Sequence, residues 1–273
     1  MKLIKPFLKW PGGKRWFVEK HSTLFPTNYN TYIEPFLGSG SVFFFLQPTR
    51  AILSDINKEL INTFIGVRDN YSEVVKQLQE YQTEHSIEFY YNTRAALSTN
   101  NVDDAAKFIY LNRTCFNGIY RVNNNGVFNV PKGTSDSVFR KEDDFKNWSR
   151  ILSTAQLNVS DFEVTINEAM AGDLIFADPP YTVRHNLNGF REYNEKLFSW
   201  DDQVRLSEAL VRARDRGAHI VSTNANHQSV RELYENRGLS LLTTSRFSSI
   251  SANPTNRRQF DELVILSSEH FLL

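Results

Sequence analysis

Asp178-Pro179-Pro180-Tyr181 brings an acid, two rigid imides and a phenol ring together at one corner of the chain. The corner follows an apolar run, Leu174-Ile175-Phe176-Ala177, of the kind that forms a buried parallel strand. Pro179 pushes Asp178 into an extended conformation. Neither proline has an N–H, so neither can join a sheet ladder, and each fixes its own backbone φ angle. The result is a stiff corner offering a carboxylate, bare carbonyls and a ring face. Such a set suits an exocyclic amine on a flat heterocycle, whose lone pair is delocalised into the ring. A carboxylate and a backbone carbonyl accept its two hydrogens, draw the nitrogen toward tetrahedral geometry and free the lone pair. Tyr181 can stack on the ring. The plainer alternative is a strand ending in a Pro-rich turn with an incidental acid.

Three further groups could hold a ligand. Gly12-Gly13 allows close backbone approach, and Lys14 follows at a helix start, a fit for a carboxylate or phosphate. The spacing is not that of a P-loop. Tyr32-Ile33 reads as a short strand, Gly38-Ser39-Gly40 as a turn and Ser41 onward as an apolar helix. Strand, Gly-x-Gly, helix is the opening unit of a nucleotide-binding sheet. A second strand, Ala51-Ile52-Leu53-Ser54, ends in Asp55, seventeen residues after Gly38, where an acid can accept hydrogen bonds from ribose hydroxyls. A plain glycine turn and a helix-capping Asp55 are the competing readings. Residues 157–163 read as a strand ending in Asp161-Phe162, an acid and an aromatic that can pair with and cover an adenine.

Positioning these groups requires an open, mainly parallel α/β sheet with ligands at the carboxyl ends of its strands. Further strands are expected over 219–224 and 261–266, with an amphipathic helix over 201–216, a loop over 182–200 and a flexible basic loop over 245–260. Helical spacing recurs over 59–67, 74–81, 87–97 and 103–111. Asn117-Gly118 and Asn125-Gly126 are turn signals, with Ile119–Val122 and Val127–Val130 as two short strands of a hairpin. A ribbon rich in Asn and Arg can enter a DNA groove, where Arg121 could read a guanine edge; a surface hairpin without a ligand is the alternative.

The 273 residues accommodate one large α/β domain with a smaller insertion. Hydrophobic content of 41% and charged content of 23% are those of a soluble globular protein. No apolar run is long enough for a membrane span, and Met1–Pro6 does not read as a secretory signal. The single cysteine suits a reducing compartment, and no Cys/His cluster has metal spacing. Net charge is zero but unevenly spread. Residues 1–20 carry six Lys/Arg against one acid, and residues 112–141 carry five against one. Residues 57–104 carry eight acids against four bases. A basic face, rather than the total, governs binding to nucleic acid.

Taken in order, these motifs resemble the DNA adenine methylase family, N6-adenine methyltransferases with Asp-Pro-Pro-Tyr. Phe7–Lys14 looks like the family's N-terminal S-adenosylmethionine (AdoMet) motif, Glu34–Gly40 like its glycine motif, and Phe116–Pro131 like its recognition hairpin. The resemblance implies a Rossmann-like AdoMet-dependent domain, residues 1–57 and 146–273, with an inserted helical and hairpin recognition domain, residues 58–145. Trp10, Lys14, Glu34, Phe36, Gly38, Ser39, Gly40, Asp55, Asp161, Phe162 and Asp178 would contact the cofactor, with no metal. Asp178, Pro179, Pro180 and Tyr181 would be catalytic. Lys9, Asn117, Arg121, Asn123 and Pro131 would contact double-stranded DNA. It implies methylation of adenine N6, after base flipping, at GATC or a site containing GAT. The setting would be the cytoplasm of a bacterial or phage-infected cell, at the nucleoid, in restriction–modification, in an orphan role or for a phage. Lys132–Asp136 departs from the family pattern in lacking its aromatic and basic residues. Two alternatives stay open: an amine methyltransferase acting on cytosine N4 or RNA, and a non-catalytic DNA-binding module.

Overall fold

Strands of three to eight residues form among the described residues 4–123, 127–183, 198–247 and 259–267 of the computed structural model. The strands are β1 (Tyr32–Glu34), β2 (Ala51–Asp55), β3 (Ala155–Val159), β4 (Leu174–Ala177), β5 (His219–Ala225), β6 (Ser240–Phe247) and β7 (Gln259–Leu266). They form one seven-stranded sheet in the order β3-β2-β1-β4-β5-β7-β6. β4 runs parallel to both β1 and β5, whereas β7 runs antiparallel to both β5 and β6. This is the expected Rossmann-like α/β class. The order reverses between β1 and β4, the switch point at which such sheets bind ligands.

The helices are α1 (Arg15–His21), α2 (Ser41–Leu46), α3 (Lys58–Glu84), α4 (Ile87–Ala95), α5 (Asn101–Thr114), α6 (Phe145–Leu152), α7 (Phe162–Asn167), α8 (Trp200–Asp215) and α9 (Gln228–Glu235). Side-chain caps set several of their starts: Asn57 for α3, Ser86 for α4, Asn100 for α5 and a Ser199/Asp202 capping box for α8. Among the described residues no helix is long and apolar enough to cross a membrane.

The helical stretches at 59–67 and 74–81 are both present, as the two arms of α3, which meet at a kink where Asn70 leaves helical geometry (φ −136°, ψ 39°). Three local expectations need correction. Asp161-Phe162 does not end a strand. β3 stops at Val159 because the Asp161 side chain accepts the Glu163 N–H and caps α7. The ribbon at 117–131 is thinner than two regular strands, paired through the Val122–Phe128 and Cys115–Lys132 bridges. Residues 245–260 are not loop throughout, since β6 runs to Phe247 and β7 starts at Gln259. The rest of that segment, and most of the expected loop at 182–200, lie outside the described residues.

The chain divides into two compact units. The first comprises Met1–Arg15, Leu37–Thr49 and Leu53–Val159. Its core joins Phe7 to Phe64 (ring centroids 4.8 Å apart) and to Trp148 (5.5 Å), and α3 packs along α5. Within it Arg113, 1% exposed, donates to both carboxylate oxygens of Asp143 at 2.5 and 3.0 Å and to the carbonyls of Val138 and Phe7. The second unit comprises Trp16–Phe36, Arg50–Ile52 and Ser160–Leu273. Ile33, Ile175, Ile220, Leu263 and Ile265 of its strands pack there against Leu206 and Leu210 of α8 and Tyr234 of α9.

Candidate active site

In the second unit, Asp178 follows directly on β4, all four of whose residues are buried. The Tyr32–Leu174 and Ile33–Ile175 register aligns β1 with β4, so Glu34 and Asp178 stand at like ends of adjacent strands. Both cradle side chains are held from neighbouring strands. Thr223 of β5 donates its hydroxyl to Asp178 Oδ1 at 2.7 Å and is also hydrogen-bonded to Tyr181. Ser222 donates to the Ala177 carbonyl at 2.8 Å. Tyr181 donates its hydroxyl to Glu262 Oε2 of β7 at 2.8 Å. Burial, then the charges of Asp178 and Glu262, hold the Tyr181 hydroxyl well above the ordinary phenol range. Tyr181 is therefore protonated and a donor at neutral pH, with its ring orientation set by Glu262.

Glu34, 3% exposed, accepts the Tyr32 hydroxyl at 2.8 Å. Phe36 stacks on Phe162 with centroids 5.4 Å apart, and Phe198 closes the cluster against both. Phe162 is buried, with the Arg205 guanidinium 4.9 Å from its ring centroid. Asp161 pairs with Arg205 at 2.9 Å while capping α7. Asp161 and Phe162 thus have structural duties besides the ligand contact expected of them.

The first unit gathers the glycine groups. Gly12, Gly38 and Gly40 hold positive φ angles of 79°, 49° and 66°. Gly38 also lies so close to the Trp10 indole that a Cβ would stand 2.8 Å from Trp10 Cδ1. A Cβ on Gly13 would meet the Trp10 carbonyl at 3.4 Å and Ser39 Oγ at 3.6 Å. Lys14, 4% exposed, donates to the Gly12 carbonyl. Asp55 closes the turn, accepting the Gly38 N–H at 3.2 Å and the Asn57 N–H at 3.0 Å. Burial pushes its carboxyl up from the ordinary value, and those backbone donors pull it back.

The hairpin residues also lie in the first unit. Asn117 adopts a left-handed φ of 58° at the hairpin root, followed by Gly118 at 64°. Asn112 ties this root to Lys9 by two hydrogen bonds, from Lys9 N at 2.9 Å and to Lys9 O at 2.8 Å. Lys9, Asn117, Arg121, Asn123 and Pro131 are all exposed. Asn123 also steadies the ribbon, its side chain accepting the Val127 N–H at 3.0 Å. From behind, Tyr90 and Arg94 of α4 donate to the Val130 carbonyl at 2.9 and 3.1 Å. Cys115 at the root is buried, which pushes its thiol up to about 11.

Sequence reasoning missed Thr223 and Glu262. Both had a signal, since Ser222-Thr223-Asn224 and Glu262 are fully or almost fully buried polar residues inside their strands. Such residues are retained where they hold something.

Comparison with known proteins adds the following. A family model described as D12 class N6 adenine-specific DNA methyltransferase matches residues 10–250. The chain is 32% identical to the Type II methyltransferase M1.LlaDCHI of Lactococcus lactis subsp. cremoris, over 96% of this chain and 95% of the relative. It is 33% identical to the Type II methyltransferase M.MjaIII of Methanocaldococcus jannaschii, over 89% and 92%. It is 32% identical to a DNA adenine methylase of Haemophilus influenzae, over 96% and 93%.

Proposed function

The chain belongs to the D12 class of N6-adenine-specific DNA methyltransferases, and from that premise we propose that it transfers a methyl group from AdoMet to adenine N6 in duplex DNA, at GATC or a site containing GAT. The observation that carries this reading is the braced Asp178, fixed by Thr223 at the switch point of the sheet. The residues fit AdoMet. A Cβ on Gly12 would meet nothing within 4 Å, which leaves the backbone there open to a ligand, and Asp55 offers a carboxylate suited to ribose hydroxyls. When bound, AdoMet supplies a methyl group already activated on a sulfonium.

The chain's own residues then position and neutralise. Asp178 accepts one hydrogen of the target amine, and the Pro179 carbonyl accepts the other. Together they hold the nitrogen lone pair free. Tyr181 lies under the base, its ring fixed by Glu262. A base stacked in a duplex cannot reach this cradle, so it is extruded, at a cost of a few kcal/mol. Residues 58–145 serve as the reading part, and residues 1–57 with 146–273 as the catalytic part. Lys9, Asn117, Arg121, Asn123 and Pro131 face the DNA.

Arg121→Ala is expected to relax discrimination at one base pair of the site by about 1–3 kcal/mol while leaving the other positions unchanged. Methylation rates on a set of singly substituted duplexes measure this; unchanged preference at every position would remove Arg121 as a reader. The reading as a whole is tested by incubating the protein with labelled AdoMet and duplex DNA, then hydrolysing to nucleosides. Label in N6-methyldeoxyadenosine supports it. Label in N4-methyldeoxycytidine, or none in DNA, overturns it. Mapping the methylated positions gives the recognition site.

A further inference from the structure

Between the glycine turn and the hairpin runs an unbroken line of ring contacts, all within the first unit. Gly38 lies against the edge of the Trp10 indole. Tyr120 stacks on Trp10 at 5.6 Å and 19°, and Phe108 stacks on both, at 6.4 Å from Trp10 and 4.8 Å from Tyr120. Tyr120 also meets Phe128 of the opposing hairpin segment at 5.6 Å. Its hydroxyl donates to the Glu59 carboxylate in the first turn of α3. That helix is capped by Asn57, whose N–H is held by Asp55. Tyr120 is therefore tied to the glycine turn through Trp10 and to the Asp55 strand end through Glu59. It is also the residue next to Arg121.

We propose that Tyr120 is a positioning residue that couples occupancy of the cofactor pocket to the placement of the DNA-reading hairpin. The proposal rests on the reading above in taking Trp10 as part of the AdoMet pocket and Arg121 as a reader. A ligand that contacts Trp10 favours the indole position in which Tyr120 can stack, and the stacked Tyr120 fixes the backbone that carries Arg121. Coupling of this kind is reciprocal: duplex that engages the hairpin tightens AdoMet binding by the same factor.

The test is calorimetry of AdoMet binding with and without a duplex bearing the mapped methylation site, alongside duplex binding alone. In the wild-type protein the duplex is expected to tighten AdoMet binding by roughly 5–150-fold. Tyr120→Leu keeps apolar bulk but removes the flat ring. It is expected to bring the factor to within about twofold of unity while each ligand alone binds as before. Tyr120→Phe, which keeps the ring but loses the hydroxyl bonded to Glu59, should lower the coupling less than Tyr120→Leu does and to the same extent as Glu59→Ala. Glu59→Ala, a change at an exposed position, should lower it without loss of fold, and it carries the test if Tyr120→Leu does not fold. Wild-type coupling in Tyr120→Leu, or in Glu59→Ala where only that variant folds, overturns the proposal. So does independent binding of the two ligands by the wild type. Failure of the wild type to bind AdoMet at all would instead bring down the functional reading beneath it.

Discussion

Asp178→Ala is expected to lower the methyl-transfer rate by about 10²–10³-fold or more while AdoMet and duplex still bind, the size of loss seen when one preorganised hydrogen-bonding group is removed from a reacting centre. The carboxylate is asked to hold an amine hydrogen only as the nitrogen changes geometry, so its loss falls on kcat more than on binding. Thr223→Val leaves the carboxylate but removes the hydroxyl that donates to its Oδ1, and should give a smaller fall of the same kind. Single-turnover rates with labelled AdoMet, beside anisotropy measurements of duplex binding, separate the two quantities. A rate for Asp178→Ala within a few-fold of wild type would sink the assignment.

Asp143→Ala should cost about 3–5 kcal/mol of stability, because it strands a buried guanidinium. Arg113 is pressed by burial below its ordinary value, and Asp143 is the partner that offsets this. Asp143 also accepts the Arg140 backbone N–H at 2.8 Å, so the loop between the hairpin and α6 loses an anchor as well. Arg113→Met with Asp143→Leu removes both charges and should recover much of the loss. Urea midpoints for the single and double variants check this; a single variant as stable as wild type would mean that the pair is not doing what its burial implies.

The corner at Asp178 was legible because four apolar residues followed by Asp-Pro-Pro admit few structures. The turn at Gly38–Gly40 and the acid at Asp55 were legible for the same reason, a strand and its punctuation being local. What braces them was not. Thr223 is 45 residues from Asp178, and Glu262 is 81 from Tyr181. No periodicity reports a partner at that distance. The error at Asp161 has a local cause: alternating Leu157-Asn158-Val159 favours a strand, yet the acid two residues on competes by capping a helix. Asn117-Gly118 is a sharp corner, as expected, at the root of the ribbon. The ribbon owes its support to Tyr90 and Arg94 on a helix whose sequence showed no site chemistry.

β7 comes last of the described strands in chain order, yet it lies between β5 and β6, which precede it. During synthesis those two strands leave the ribosome with a slot between them, and Tyr181 lacks its carboxylate partner until the slot is filled. Pairing at such sequence separation is slow to form. A half-made chain would thus carry the turn at Gly38–Gly40 and the ribbon at 117–131 before the Tyr181–Glu262 contact could form, so the bracing of the Asp178–Tyr181 corner waits on the end of the chain.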